Sequence, residues 1–176
     1  MRDWFLGSAA WLVSVVAHRS WVSAEPGSLR RGLSDAAAHA SLALATALPV
    51  AVRAPMPARL LVGTLVGALV LDLDHVVAAR SVRLRDWMTM PSRPPTHSAF
   101  AVGIAVAGAL RWNRPFGLGF GLGAISHLVR DLATGGVPLL HPSRTVALPE
   151  RSSFPLAFGL GALSWWLAGR LAKRQS

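Results

Sequence analysis

Asp72, Asp74 and His75 stand within four residues in "LVLDLDHVV", directly after the apolar run "LLVGTLVGA". His127 and Asp131 are four apart in "ISHLVRD", and His97 lies in "PTHSAF" shortly after Arg93. Residues three or four apart share one face of a helix. His127 with Asp131, and Asp72 with His75, can therefore each offer two donors to one point. Imidazole and carboxylate together suit Zn2+, Mn2+ or another divalent ion bound through nitrogen and oxygen. Such an ion lowers the pKa of water to about 7, which makes a nucleophile available, and it supplies the countercharge that buried carboxylates lack. Asp72 and His75 are the leading candidates in the opening stretch. Asp74 falls on the far side of a regular helix, so it is expected to support a ligand or serve a second ion unless the helix unwinds there.

These residues must be held by apolar elements. The composition is 52% hydrophobic and only 15% charged, with a mean hydropathy of +0.43. Ordinary soluble domains carry about 25% charged residues, so the balance points to a membrane protein. Six apolar segments can be read: Trp4–Ala17, Ala36–Val52, Leu60–Val77, Ala99–Leu110, Phe116–Val129 and Phe154–Leu171. Proline and arginine punctuate the breaks, as at helix ends. "GTLVGA" and "GLGFGLGA" are small-residue patterns that allow membrane helices to approach closely. The expected fold is all-α: a single domain over residues 1–176, a polytopic bundle with four to six membrane-embedded helices. A full span takes about 20 residues, and several segments are shorter. Either polar site residues extend them, or one or two are interfacial. The first segment, with "VSA" before Glu25, also resembles a signal peptide; Arg19 and Asp3 argue against that, and a retained helix is expected.

The absence of cysteine leaves any metal to His, Asp and Glu. The net charge of +10 comes mostly from arginines placed singly or in pairs between apolar segments. That is the pattern of loops facing anionic headgroups rather than of a nucleic-acid surface, so the expected partner is the lipid bilayer.

Threading the segments alternately through a bilayer puts His39, Asp72, Asp74, His75, His97, Ser126, His127 and Asp131 at one face, with Thr134 and His141 in the adjoining loop. The opposite turns, "RAPMPAR" and "RWNRP", contain no His, Asp or Glu. Ionisable residues inside membrane segments are functional by default. His39, His97 and the two helix-borne pairs could together hold one or two ions. Other residues have plainer readings. His18 is expected at an interface, Asp35 as a helix N-cap or first-turn acid, and Asp86 and Glu150 as solvated partners of nearby arginines.

The order "DLDH", then Arg93-x-x-Thr96-His97-Ser98, then Ser126-His127-Leu128-x-x-Asp131-x-x-Thr134-x-Gly136-Val137-Pro138, resembles the YdjM-like family of membrane-bound, metal-dependent hydrolases, often described as LexA-regulated. The likeness covers about residues 36–143. It implies metal ligation by His39, Asp72, His75, His97, His127 and Asp131, with Zn2+ expected first and Mn2+ or Mg2+ as alternatives. It implies catalytic or supporting parts for Asp74, Arg93, Thr96, Ser98 and Ser126, and a multi-pass place in the bacterial inner membrane. Through a wider similarity to the zinc-dependent phospholipase C and single-strand nuclease superfamily, it implies phosphoester hydrolysis, with a lipid as one candidate substrate. The sequence departs from the family pattern at Ser92 and Pro94, where His and Gly are usual, and at His141, where Trp is usual.

Two other readings compete. A phosphatidic-acid-phosphatase-like enzyme would use His127 as a phosphoryl-accepting nucleophile oriented by Asp131, with His97 as general acid. It would lack the Ser-Arg dipeptide expected before that histidine and would leave Asp72, Asp74 and His75 idle. A non-enzymatic membrane protein could keep the same cluster simply to hold metal.

Overall fold

A computed structural model describes the backbone of residues 2–141 and 144–173, with side chains described for 5–139 and 144–170. The chain runs through α1 (Arg2–Ser23), α2 (Leu29–Ala51), α3 (Pro57–Leu69), a 3₁₀ turn at Val70–Asp72, and α4 (Leu73–Ala79). It continues through the short α5 (Leu84–Met88), a 3₁₀ turn at Pro95–His97, α6 (Ala99–Trp112) and α7 (Arg114–Thr134). A small hairpin follows, β1 (Val137–His141) antiparallel to β2 (Arg144–Val146), then a 3₁₀ turn at Glu150–Ser152 and α8 (Ser153–Lys173). The fold is predominantly helical, as expected; the hairpin lies in a stretch that the sequence reads only as loop.

Helix starts follow local chemistry. Ser28 accepts a hydrogen bond from Arg31 N and opens α2. Asn113 does the same for α7 through Phe116 N, and Ser98 for α6 through Ala101 N. Each such cap is worth about 1 kcal/mol. Pro57 opens α3 at a position where its missing N–H is harmless. Asp35 is neither an N-cap nor a first-turn acid. The helix begins at Leu29, and Asp35 sits well inside it.

Five of the six apolar segments are longer as helices than as apolar runs, because other residues extend them, and the third is divided between α3, the 3₁₀ turn and α4. Helices α1, α2, α7 and α8 have 22, 23, 21 and 21 residues, each about 30 Å at 1.5 Å per residue, the thickness of a bilayer core. By length and apolarity together, one continuous segment among the described residues qualifies as a membrane span: Pro57–Ala79, with mean hydropathy 1.9. Helix α6 is apolar but shorter. In α2 and α7, inward-facing His39, Ser41, Thr46, His127, Arg130 and Asp131 lower the average.

Polar and ionisable side chains are buried alongside the apolar core, while large apolar ones face outward. Phe5, Val77, Phe100 and Trp112 are each more than three-quarters exposed, whereas His39, His97, His127 and Asp131 are fully buried. That distribution suits a protein whose surroundings are hydrocarbon.

The central contact is between α3 and α7, which run in parallel. A Cβ on Gly63 or Gly67 of α3 would collide with the backbone carbonyls of Phe116 and Phe120; one on Gly119 or Gly123 of α7 would collide with those of Leu60 and Thr64. Four glycines, spaced four apart on each helix, thus bring two backbones into direct contact. The register of this seam sets the site. Leu60 meets Gly119, Thr64 meets Gly123, and one turn further Ala68 meets His127.

Candidate metal centre

At that end of the seam, α7 supplies His127 and Asp131, four apart and both fully buried. The Nδ1 of His127 lies 2.7 Å from the carbonyl of Ala68. A carbonyl only accepts, so Nδ1 carries the proton and Nε2 is left with its lone pair. His97 comes from the 3₁₀ turn ahead of α6, fixed between Pro94 and the Ser98 cap. Its Nδ1 is 2.9 Å from Asp74 Oδ2, so it too is a donor there, and its Nε2 points inward. Asp74 is itself held by the hydroxyl of Thr96.

The two free Nε2 atoms meet at 3.2 Å. Asp131 Oδ2 is 3.2 Å from His127 Nε2 and 3.7 Å from His97 Nε2. Asp72 Oδ1 is 3.6 Å from the first and 3.8 Å from the second. Two imidazole nitrogens thus lie side by side, and each of two carboxylate oxygens stands within 3.8 Å of both. A tetrahedron of ligands around a divalent ion at about 2.1 Å has edges of about 3.4 Å. Asp131 Oδ2 is buried with no hydrogen-bond partner, which is costly unless a cation sits beside it. The donor set, its spacing and its orphaned oxygen fit a metal ion. Both histidines are also tethered through the far ring nitrogen, as metal-binding histidines characteristically are.

The 3₁₀ turn explains how three neighbouring residues reach one cluster. Tightening at Val70–Asp72 breaks the regular helical phase, so Asp72, Asp74 and His75 all face the centre. Their contacts differ. Asp72 joins the four converging donors, Asp74 tethers His97, and His75 stands edge-on to His97 with ring centroids 4.8 Å apart. The Nε2 of His75 is 3.3 Å from Arg93 Nη1; arginine can only donate, so that nitrogen accepts. Asp72 and His75 are thus in one cluster without converging on one point.

His39 stacks flat on His127 at 3.8 Å and 13°. Its Nε2 lies 2.7 Å from Arg130 Nη1 and 3.5 Å from Asp131 Oδ1. Arg93 closes the other flank, with Nη2 3.1 Å from Asp131 Oδ1, and it lies where a Cβ on Gly135 would press on it. Ser98 Oγ serves as the α6 cap, and Ser126 Oγ donates to Gly123 O at 2.8 Å; both hydroxyls are committed to the helix backbone. Thr134 Oγ1 reaches Arg130 O and Asp131 Oδ1. Gly136 adopts φ +85°, and its N–H with that of Gly135 closes α7 on Asp131 O. Val137 is buried in the apolar cluster of Leu71, Val102 and Leu128. The side chain of His141 lies outside the described residues.

Sequence reasoning missed two participants. Asp35 Oδ1 is 2.6 Å from Arg130 Nη1, and Arg130 is 4% exposed. The signal was present: Asp35 and His39 are four apart and share a helix face. His18, expected at an interface, is buried against Trp21 and Phe154. Glu150 remains exposed, as expected, and so does Asp86, which accepts from Ser81 Oγ.

The model of the YdjM inner membrane protein family matches residues 35–175. The chain belongs to that family. The match takes in every residue of the centre, from Asp35 to Asp131, and leaves α1 outside it. Neither the curated proteins nor the solved structures contain a match.

His127 is poorly arranged for the phosphatase-like alternative. A nucleophilic Nε2 needs Asp131 behind the ring at Nδ1, and Nδ1 is held by Ala68 O while Asp131 sits beside Nε2.

Proposed function

We propose that this member of the YdjM family is a multi-pass, membrane-bound, metal-dependent hydrolase acting on a phosphoester. The observation that carries the reading is the clustering of Asp72 Oδ1, His97 Nε2, His127 Nε2 and Asp131 Oδ2: the two nitrogens are 3.2 Å apart, and each oxygen lies 3.2–3.8 Å from both. These four residues would hold the ion, with Zn2+ best suited to two nitrogens and two oxygens. A divalent ion there would supply Lewis acidity and an acidified water near neutral pH.

The chain's own residues supply the rest. A cavity of about 200 Å³ opens beside Asp72 and His75 and is bordered by Arg31 and Arg93. Guanidinium groups in that position would receive the anionic oxygens of a phosphate. Trp21, Trp87 and Met88 line the same cavity and exclude water from part of it. Asp74 and the Ala68 carbonyl keep the two imidazoles in the tautomer that leaves Nε2 available. The resemblance to zinc-dependent phospholipases supports a phosphoester over other esters, and the apolar exterior supports a substrate that arrives from the bilayer.

The test is metal analysis of detergent-purified protein, wild type against Asp72→Ala, followed by turnover of phosphomonoesters and phosphodiesters with and without chelator. Bound metal in the wild type, its loss in the variant, and chelator-sensitive hydrolysis are the expected results. A metal-free protein would sink the reading. Stable metal without turnover on any phosphoester would instead assign the chain to metal holding.

A further inference from the structure

We infer that Arg130 occupies the place of a second metal ion, so that the centre carries a single ion and Asp35 and His39 serve the guanidinium rather than a metal. The inference rests on the metal-centre reading above and fixes its nuclearity.

Asp35, His39 and Asp72 offer donor atoms within 4.8 Å of one another, and so do His39, His127 and Asp131. Either group could be read as the beginning of a second ion site. A cation is already there. Arg130 Nη1 is 2.6 Å from Asp35 Oδ1 and 2.7 Å from His39 Nε2. A guanidinium stays protonated and has no acceptor, so both contacts are donated by Nη1. Its two hydrogens are thereby used, and the His39 lone pair that a metal would need is already engaged.

The opposite flank is closed in the same way. A carboxylate that bridges two ions with one oxygen on each needs both oxygens. Asp131 Oδ2 faces the converging donors, but Oδ1 is held by Arg93 Nη2 at 3.1 Å. Two guanidinium groups thus block extension through His39 and through Asp131. In the remaining donor group, Asp74, His75 and His97, Asp74 Oδ2 is held by His97 Nδ1 and Thr96 while His75 Nε2 accepts from Arg93.

Arg130 is also built into position. It is 4% exposed and lies 5.3 Å above the Trp21 ring, while its Nε and Nη2 have no hydrogen-bond partner. Burying a charge with unsatisfied donors is expensive. It is tolerable where the positive charge is offset by Asp35 at 2.6 Å.

The experiment measures zinc per chain after loading and desalting in detergent, for the wild type, His39→Ala and Arg130→Met. One ion is expected in the wild type and in His39→Ala. A rise toward two is expected in Arg130→Met, where Asp35 and His39 are released. Two ions in the wild type, a drop toward zero in His39→Ala, or one ion in a folded Arg130→Met would each overturn the inference while leaving the metal centre itself standing. Absence of metal from the wild type would remove both. Should Arg130→Met not fold, the Co2+-loaded wild type and His39→Gln are compared by visible absorption. Matching spectra support the assignment, and a shifted coordination band overturns it.

Discussion

His97 and His127 face each other through their Nε2 atoms at 3.2 Å, while the Nδ1 of each ring is spent as a donor, one on Asp74 and the other on the Ala68 carbonyl. Two neutral imidazoles so arranged would oppose lone pair to lone pair. A cation or a proton between them removes the repulsion, and the nearby oxygens of Asp72 and Asp131 add to the demand for positive charge.

Removing a donor should remove the metal. His127→Ala and Asp131→Ala are each expected to reduce bound zinc to near zero in purified protein, with helical content by circular dichroism retained. Elemental analysis after gel filtration reads the first, and a metal content equal to wild type would show that the convergence is not a binding site.

In the proposed centre Asp74 would act on the ion through His97. Asp74→Asn should weaken metal affinity by about 10–100-fold, the usual effect of losing such a tether, without abolishing binding. Competition with a chromophoric chelator measures it. An unchanged affinity would leave the carboxylate with no part in orienting the ring.

The same ring makes binding pH-dependent. Burial alone would lower the His97 pKa, but interaction with Asp72 and Asp74 outweighs it and raises the pKa from 6.5 to about 9. In the metal-free protein this proton contributes stability that is fully present below pH 6.5 and lost as pH rises through about 9. Metal must displace it, so affinity should climb by about tenfold per pH unit across that interval and level off above it. The gap in melting temperature between loaded and metal-free protein should widen over the same range. A flat profile between the two pH values would contradict the proposed ligand.

The glycine seam is expected to be intolerant. Gly123→Val would drive a side chain into the Thr64 carbonyl, and the penalty for such overpacking is about 3 kcal/mol. Because His127 and Ala68 lie one turn along the same seam, metal content should fall with stability. Gly103 has open space around it, so Gly103→Ala should be neutral or stabilising by about 0.5–1 kcal/mol. Thermal unfolding in detergent compares the two.

A multi-pass topology makes a labelling prediction that the cysteine-free chain suits well. Met56 and Val82 are both exposed and flank Pro57–Ala79, the one segment among the described residues that is long and apolar enough to cross a membrane. Cysteines placed singly at the two positions should react with an impermeant maleimide from opposite sides of the membrane. Equal labelling of both in intact cells would rule out a crossing by that segment.

The sequence by itself singled out the ionisable residues proposed for the chemistry, and determined that helices hold them. Asp72, His97, His127 and Asp131 were visible because ionisable groups at the ends of apolar runs are conspicuous, and four-residue spacing is meaningful on any helix. The small-residue runs already announced a close helix contact. Tertiary structure decided how the donors divide. Whether Asp74 or His75 stands beside Asp72 depends on the 3₁₀ turn at Val70–Asp72, a change of phase that periodicity cannot report. That Asp35 belongs to the centre follows from Arg130, ninety-five residues away in the chain, reaching it at 2.6 Å. That His127 donates to Ala68 follows from the register in which α3 and α7 interlock. A local pattern encodes which face of one helix is polar. The distances between faces are set by packing, and ligation is a matter of distances.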